Sequence, residues 1–129
     1  MTDSKKPDIQ LIANLVAVNP AGEVLLVRYN PEDDRWWLPG GDLEPYQHPE
    51  EAARKVIEEL EGVEIQQMSL ADVESFRGRR GWHIVFNYRV EVLGDASGKI
   101  PVSWHAPDRL PRTVHGKWEK QAVERVLAG

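Results

Sequence analysis

The sequence of 129 residues predicts an α/β (α+β) fold in which a mixed β-sheet lies between helices. Three observations predict it: apolar, β-branched runs separated by turns, an amphipathic helix in mid-chain, and a second one at the end. The length is that of one domain, and 41% hydrophobic residues are enough for one core. We expect residues 9–129 to form this domain and the polar residues 1–8 to be a disordered lead.

The predicted strands follow one another along the chain with turn signals between them. Residues 9–18 and 24–29 are typical of a β-hairpin closed by the turn NPAGE. Residues 63–76 and 82–93 predict a second pair of strands, joined by the basic loop 77–81 (RGRRG). The stretch VSWHAPDRLP then predicts a short strand that ends in a proline-bounded turn.

The first helix is predicted over residues 49–61. Pro49 suits a first helical position, acidic residues follow it in the first turn, and Gly62 is a natural stop. Its apolar positions recur at i, i+3, i+4 and i+7, which by itself indicates a core helix with a solvated charged face. The C-terminal helix has the same kind of stripe, formed by Val114, Trp118, Ala122 and Val126.

Composition limits the classes of function. Lys and Arg number 16 against 21 Asp and Glu, so the net charge of −5 makes nucleic acid an unlikely partner. The absence of cysteine excludes disulfides and thiolate metal sites. No apolar run is long enough to span a membrane, and the N-terminus is not a signal peptide. We therefore expect a cytoplasmic domain with no membrane partner.

The segment WWLPGGDLEPYQHPEEAARKVIEELEGV resembles the signature of the Nudix hydrolase family, G-x5-E-x7-R-E-U-x-E-E-x-G-U, where U is a bulky aliphatic residue. Anchored on Gly41, the pattern reaches Gly62 without a gap. The lead-in WWLPGG and the later SWHAPDRLP are also similar to family segments. The resemblance implies a Nudix-like α/β/α sandwich that takes a nucleoside diphosphate derivative or a related phosphorylated metabolite.

The signature is kept at five of its nine specified positions and changed at four. The kept positions are Gly41, Ile57, Glu59, Gly62 and Val63; the changed ones are Gln47, Lys55, Val56 and Leu60, where the family has Glu, Arg, Glu and Glu. In the family, three glutamates on one helix face hold Mg²⁺, which carries the diphosphate and helps a water attack phosphorus. A register shifted by one residue would instead use Glu58 and Glu59.

The resemblance implies a set of site residues. Glu59, with Glu58, is expected to be catalytic, and Glu59, Glu44 and the Gly40 carbonyl are expected to bind Mg²⁺ or Mn²⁺ if the protein is active. Substrate contacts are expected from Trp36, Trp37, Arg77, Arg79, Arg80 and Trp82. Ordinary structural roles are the alternative for each: a turn residue, core tryptophans and a solvated hairpin tip.

Two functions follow from these observations. The first is a divergent Nudix-type hydrolase, weak because helix carboxylates are replaced. The second is a non-catalytic domain of the same fold that binds a nucleotide or a protein. Five tryptophans also suggest a possible homodimer.

Overall fold

The computed structural model describes residues 8–128. This part of the chain forms, in order, β1 (Ile9–Val18), β2 (Val24–Val27), β3 (Gly40–Asp42), α1 (Pro49–Glu58), β4 (Glu64–Gly78), β5 (Gly81–Leu93), β6 (Val102–His105) and α2 (Lys117–Ala128). The predicted α/β (α+β) fold is therefore confirmed.

The strands form one mixed sheet in the order β4-β5-β1-β2-β6, with β3 also paired to β1. β1 runs parallel to β5 over the whole length of β1, whereas the other strand pairs are antiparallel. β4 and β6 are the two edges of the sheet.

The side chains of β1 alternate between two apolar cores, one on each face of the sheet. Ala13 and Leu15 pack under α1, while Val16 and Val18 pack under α2. β2 is buried on both faces, and for that reason its sequence VLLV is a continuous apolar run. The chain is thus the three-layer sandwich expected from its pattern.

α1 begins where the sequence predicts. The ring Nδ1 of His48 accepts a hydrogen bond of 3.0 Å from the backbone N–H of Glu50, and Pro49 occupies the first helical position. Ala52, Ala53 and Ile57 are buried against the sheet, so these side chains fix which face of the helix is turned outward.

α1 ends at Glu58, earlier than the predicted residue 61. Glu59 forms the C-cap, and the chain then turns at Gly62, whose φ of 86° is in the left-handed region that favours glycine. A Cβ atom at Gly62 would collide with the carbonyl of Asp95. Gly62 therefore ends the helical segment as the sequence predicts, and a short turn lies between the end of α1 and Gly62.

The basic loop is shorter than predicted. Arg77 and Gly78 continue β4, pairing with Trp82 and Gly81, so the hairpin turn consists of residues 79–80 alone. The predicted disordered lead over residues 1–8 lies outside the described residues except for Asp8, whose carbonyl accepts a hydrogen bond of 2.8 Å from the N–H of Trp82. No helix within residues 8–128 is long and apolar enough to cross a membrane.

Candidate functional site

A pocket of about 150 Å³ lies between β3, the turn that follows it and α1. Its polar side chains are Asp42, Glu44, Gln47, Lys55 and Glu59. α1 presents Lys55 and Glu59 together because positions i and i+4 lie on one helix face. Three carboxylates and one ammonium group therefore line the pocket, which is acidic as a whole.

Lys55 and Glu44 form an ion pair at this pocket. The Lys55 Nζ atom lies 3.6 Å from the Glu44 Oε1 atom, with the side chains 57% and 70% exposed. A pair so exposed adds little to stability, on the order of 0–1 kcal/mol. Its effect is instead on the charge inside the pocket, since it places a cation beside one of the predicted metal-binding carboxylates.

Gly40 is held in place on both sides. The hydroxyl of Tyr29 accepts a hydrogen bond of 3.0 Å from the Gly40 N–H and donates one of 3.1 Å to the Gly40 carbonyl. A Cβ at Gly40 would lie 2.8 Å from the carbonyl oxygen of Ala13, so only glycine fits without displacement. The predicted metal-binding carbonyl thus already has a hydrogen-bond donor.

Burial of the Tyr29 hydroxyl is the main cause that raises its pKa. The hydrogen bond with the Gly40 backbone opposes this rise, and the negative charge of Glu59 adds to it. Tyr29, Gly40 and Glu59 are therefore close enough to act on one another electrostatically.

The apolar substitutions in the signature alter the face of α1 on which the family places its metal ligands. Val56 lines the pocket, and Leu60 is only 5% exposed and belongs to the core. Within the described residues, no group of three or more His, Asp or Glu side chains is arranged to hold a metal ion. The residues present do not fit the three-glutamate magnesium site that the family pattern implies.

Glu58 and Glu59 lie on different sides of the end of α1. Glu59 lines the pocket with Lys55 and Val56, whereas Glu58 is exposed and is not part of the pocket wall. This placement corresponds to the ungapped register of the signature rather than to the register shifted by one residue.

The two adjacent tryptophans occupy opposite sides of the chain. Trp36 packs on the α2 side, where the Arg28 guanidinium lies 5.6 Å from its ring centre and His105 is at 5.9 Å. Trp37 packs on the α1 side and makes edge-on contacts with Tyr29 at 6.1 Å and with His115 at 5.4 Å. Both are half-buried, and Trp37 is linked through Tyr29 to the pocket.

A buried carboxylate fixes His115 beside Trp37. Glu119 is 1% exposed and accepts a hydrogen bond of 3.1 Å from the backbone N–H of His115, while its Oε2 lies 2.8 Å from the ring Nδ1. Sequence reasoning assigned no role to Tyr29, His115 or Glu119. Only the i, i+4 spacing of His115 and Glu119 could have indicated their pairing.

The predicted basic and aromatic substrate contacts lie at the tip of the β4–β5 hairpin, not in the pocket wall. Trp82 is 39% exposed and its indole N–H donates to Ser75 Oγ at 2.7 Å. Arg80 donates to the side chain of Gln10 at 2.6 Å, while Arg77 lies in β4 and Arg79 in the turn. The structure therefore does not bring these residues together with Glu59.

A larger depression, of about 440 Å³, lies elsewhere on the protein. It is lined by Arg35, Arg112 and Lys120 together with the segment 110–116. It contains none of the signature residues, so its size alone does not make it the candidate site.

Residues 9–126 match the sequence profile of the NUDIX domain. The chain belongs to the Nudix family. The match spans nearly every described residue, so the expected family resemblance is confirmed for the domain as a whole. Among curated proteins, no sequence was found to match this chain.

Solved structures share the Nudix fold along almost the full chain. A MutT NUDIX hydrolase from Burkholderia pseudomallei is 23% identical with a TM-score of 0.71, covering 92% of this chain and 98% of its own. The MutT protein from Methanosarcina mazei Go1 is 21% identical with a TM-score of 0.73, covering 97% of both chains. A UDP-X diphosphatase is 23% identical with a TM-score of 0.70, covering 96% of this chain and 64% of its own. At these identities the likeness concerns the fold.

Proposed function

We propose that this chain is a divergent Nudix-type hydrolase with weak activity on the diphosphate linkage of a nucleoside diphosphate derivative. The observation that carries the proposal is the pocket in which Glu59 lies on the same face of α1 as Lys55, beside the Gly40 turn. The family match, together with solved relatives named as MutT hydrolases and a UDP-X diphosphatase, supports a phosphorylated nucleotide as substrate class.

Glu59 is the base in this proposal. Its carboxylate lies in the pocket wall and is exposed, so it can accept a proton from a water molecule that attacks phosphorus. The bond from that phosphorus to the bridging oxygen breaks, and the bridging oxygen leaves with the other phosphate group. Lys55 supplies a positive charge near the phosphate oxygens, as an ammonium group does in many phosphate sites. The base of the nucleotide would stack on the aromatic wall of Trp37 and Tyr29.

Weak activity follows from the charge of the pocket. Nudix hydrolases in general use divalent metal ions to neutralise phosphate charge. In this pocket one lysine supplies only part of the positive charge that such ions would bring. Asp42 and Glu44 remain as negative charges beside Glu59, so an approaching diphosphate meets repulsion. Mg²⁺ or Mn²⁺ would be bound by oxygens of Glu59, Glu44 and Gly40. Of these, the Glu44 carboxylate is already paired with Lys55, and the Gly40 carbonyl already accepts a hydrogen bond from Tyr29.

The Lys55–Glu44 ion pair also favours a second function, a non-catalytic nucleotide-binding domain. An ammonium group can hold a phosphate without activating water, and Val56 and Leu60 leave α1 with no further carboxylate on that face. The two functions predict the same ligand class and differ only in turnover.

A hydrolysis assay separates these two functions. Nucleoside triphosphates, ADP-ribose, dinucleotide polyphosphates and sugar nucleotides are incubated with the protein, with Mg²⁺, with Mn²⁺ and with a chelator. Glu59→Gln is measured beside Glu51→Gln, which removes the same charge from an exposed position outside the pocket. We expect slow turnover that Glu59→Gln abolishes and Glu51→Gln keeps.

Two other results have a defined meaning. Loss of turnover in Glu58→Gln but not in Glu59→Gln would move the base to the neighbouring residue and contradict the proposal. If no substrate is turned over but a ligand raises the Tm, the hydrolase proposal is contradicted and the non-catalytic nucleotide-binding domain is supported.

A further inference from the structure

The depression of about 440 Å³ lies beside the segment that joins β6 to α2, away from the signature pocket. Small-molecule sites have volumes of about 300–1,000 Å³, so the depression is large enough for a metabolite. Its charged side chains are Arg35, Arg112 and Lys120, and in the described part of the chain no carboxylate lines it. On a chain with a net charge of −5, a wall that carries only cations indicates an anionic ligand.

Three separate segments bring these cations together. Arg35 precedes β3, Arg112 lies between β6 and α2, and Lys120 is on α2. Two backbone hydrogen bonds of Trp36 hold the first two segments side by side: its N–H donates to the Arg112 carbonyl at 2.9 Å, and its carbonyl accepts from the Val114 N–H at 3.0 Å. The fold therefore fixes the backbone positions of Arg35 and Arg112 relative to one another.

One of the three positive charges is already neutralised. Arg35 donates from its Nε and one terminal nitrogen to both carboxylate oxygens of Asp33, at distances from 2.6 to 3.1 Å. The hydrogen bond with Asp33 is the main cause that raises the pKa of Arg35, and the charge of Asp34 is the smallest, so Asp33 is the counter-ion. Arg112 and Lys120 are exposed and form no ion pair within residues 8–128. The depression therefore presents two cations that have no carboxylate partner.

We propose that this depression binds the phosphate monoester group of a small molecule. A phosphate monoester carries a charge of about −1.5 to −2 near pH 7 and three acceptor oxygens, which matches two unpaired cations better than a single carboxylate does. The Arg112 guanidinium suits a pair of parallel hydrogen bonds to phosphate oxygens, and Lys120 supplies a point charge.

The apolar part of the wall accommodates the rest of the ligand. Leu110, Pro111 and Val114 line the depression together with the cations. A phosphate group alone would fill only part of the volume, so an organic group attached to it packs against these side chains. This second site does not depend on the proposed hydrolysis.

Titration with ribose 5-phosphate, followed by ¹H–¹⁵N NMR, tests the site because the shifted signals locate the bound probe. We expect saturable shifts at residues 110–116 and at Lys120, with a dissociation constant of about 1 mM or below. Ribose lacks the phosphate, and ribonate carries a carboxylate instead. Both should bind at least about tenfold more weakly, because neither supplies two negative charges.

Substitutions with matched controls test the two unpaired cations. Arg112→Gln and Lys120→Gln should each raise the dissociation constant about fivefold or more. Arg109→Gln and Lys117→Gln remove the same charges from exposed positions outside the depression, and should change it by less than about twofold because solvent and salt screen them. Lys55→Met should also leave it unchanged, which separates this site from the signature pocket.

Thermal melts check that each variant is folded. The proposal would be overturned if no signal saturates up to about 10 mM ribose 5-phosphate. Equal weakening in the variants and in their controls would show attraction by overall charge, and equally tight binding of ribonate would contradict the phosphate class. Shifts confined to residues 40–47 and 55–59 would place the probe in the signature pocket and would equally contradict the proposal.

Discussion

The Nζ atom of Lys55 lies 3.6 Å from the Oε1 atom of Glu44, at the pocket where the family pattern places a magnesium site. Lys55 stands where the signature has arginine, and the next residue, Val56, stands where it has a glutamate. The first substitution keeps the positive charge at its position, and the second removes a carboxylate that a metal would need. The charge of the pocket is therefore changed by Val56 and not by Lys55.

Replacing Lys55 by methionine should weaken diphosphate binding without destabilising the fold. The side chain keeps its apolar stem but loses the charge near the phosphate oxygens, so we expect the dissociation constant to rise about fivefold, roughly 1 kcal/mol. Calorimetry with ADP-ribose measures it, and Lys99→Met is the control for a lost surface charge. An unchanged dissociation constant would remove Lys55 from the binding site.

Carboxylates returned to the signature positions should create affinity for Mg²⁺. In Val56→Glu with Leu60→Glu, glutamates stand at all three positions 56, 59 and 60 at the end of α1, and calorimetry should show saturable binding. Because Leu60 is 5% exposed, we also expect a loss of about 2–4 kcal/mol in the free energy of unfolding. The double glutamine variant is the control, since it has the same shape without the charge. A folded double glutamate variant without Mg²⁺ affinity would contradict this prediction.

Tyr29→Phe should destabilise the turn before α1. The change removes the hydrogen bonds of 3.0 and 3.1 Å that join the hydroxyl to Gly40, with an expected cost of about 1–2 kcal/mol in the free energy of unfolding. Urea denaturation measures this cost. Tyr46→Phe, at a fully exposed tyrosine, is the matched control, and equal stability of the two variants would be evidence against the role of the Tyr29 hydroxyl.

Asp33 should titrate well below an ordinary aspartate. Hydrogen bonds from the Arg35 side chain and backbone are the main cause that lowers the pKa of Asp33 to about 2, from 3.8. Because the folded-state pKa is depressed, the stabilisation from this pair is present above pH 3.8 and is lost as the pH falls toward 2. NMR titration of the carboxyl carbon measures the midpoint, and Arg35→Gln should raise it. A midpoint near 3.8 in the unaltered protein would refute the prediction.

Much of the fold could be predicted from local sequence patterns. The apolar run of β1, the Pro49 start of α1 and the glycine stop at Gly62 each depend on neighbouring residues, and each is found in the structure. The extent of β4 was missed because Arg77 and Gly78 have no strand preference of their own. They become strand through pairing with β5, which only the tertiary structure supplies.

The candidate site was predicted less completely, for a physical reason. The spacing of the signature placed Glu59, Glu44 and Gly40 at one pocket, because that spacing is fixed along a single turn and helix. The hydrogen bonds of Tyr29 with Gly40 and the contact of His115 with Trp37 join segments far apart in the chain. No local pattern indicates such contacts, and the same holds for the distance of the hairpin-tip arginines from the pocket.

Calorimetric titration of the unaltered protein with Mg²⁺ tests most directly the claim that the pocket has lost the carboxylate metal centre of the family pattern. We predict weak binding, with a dissociation constant of about 1 mM or above, and little change in Glu59→Gln. Binding with a dissociation constant of about 10 μM or below, abolished in Glu59→Gln, would show a working metal site and contradict this prediction.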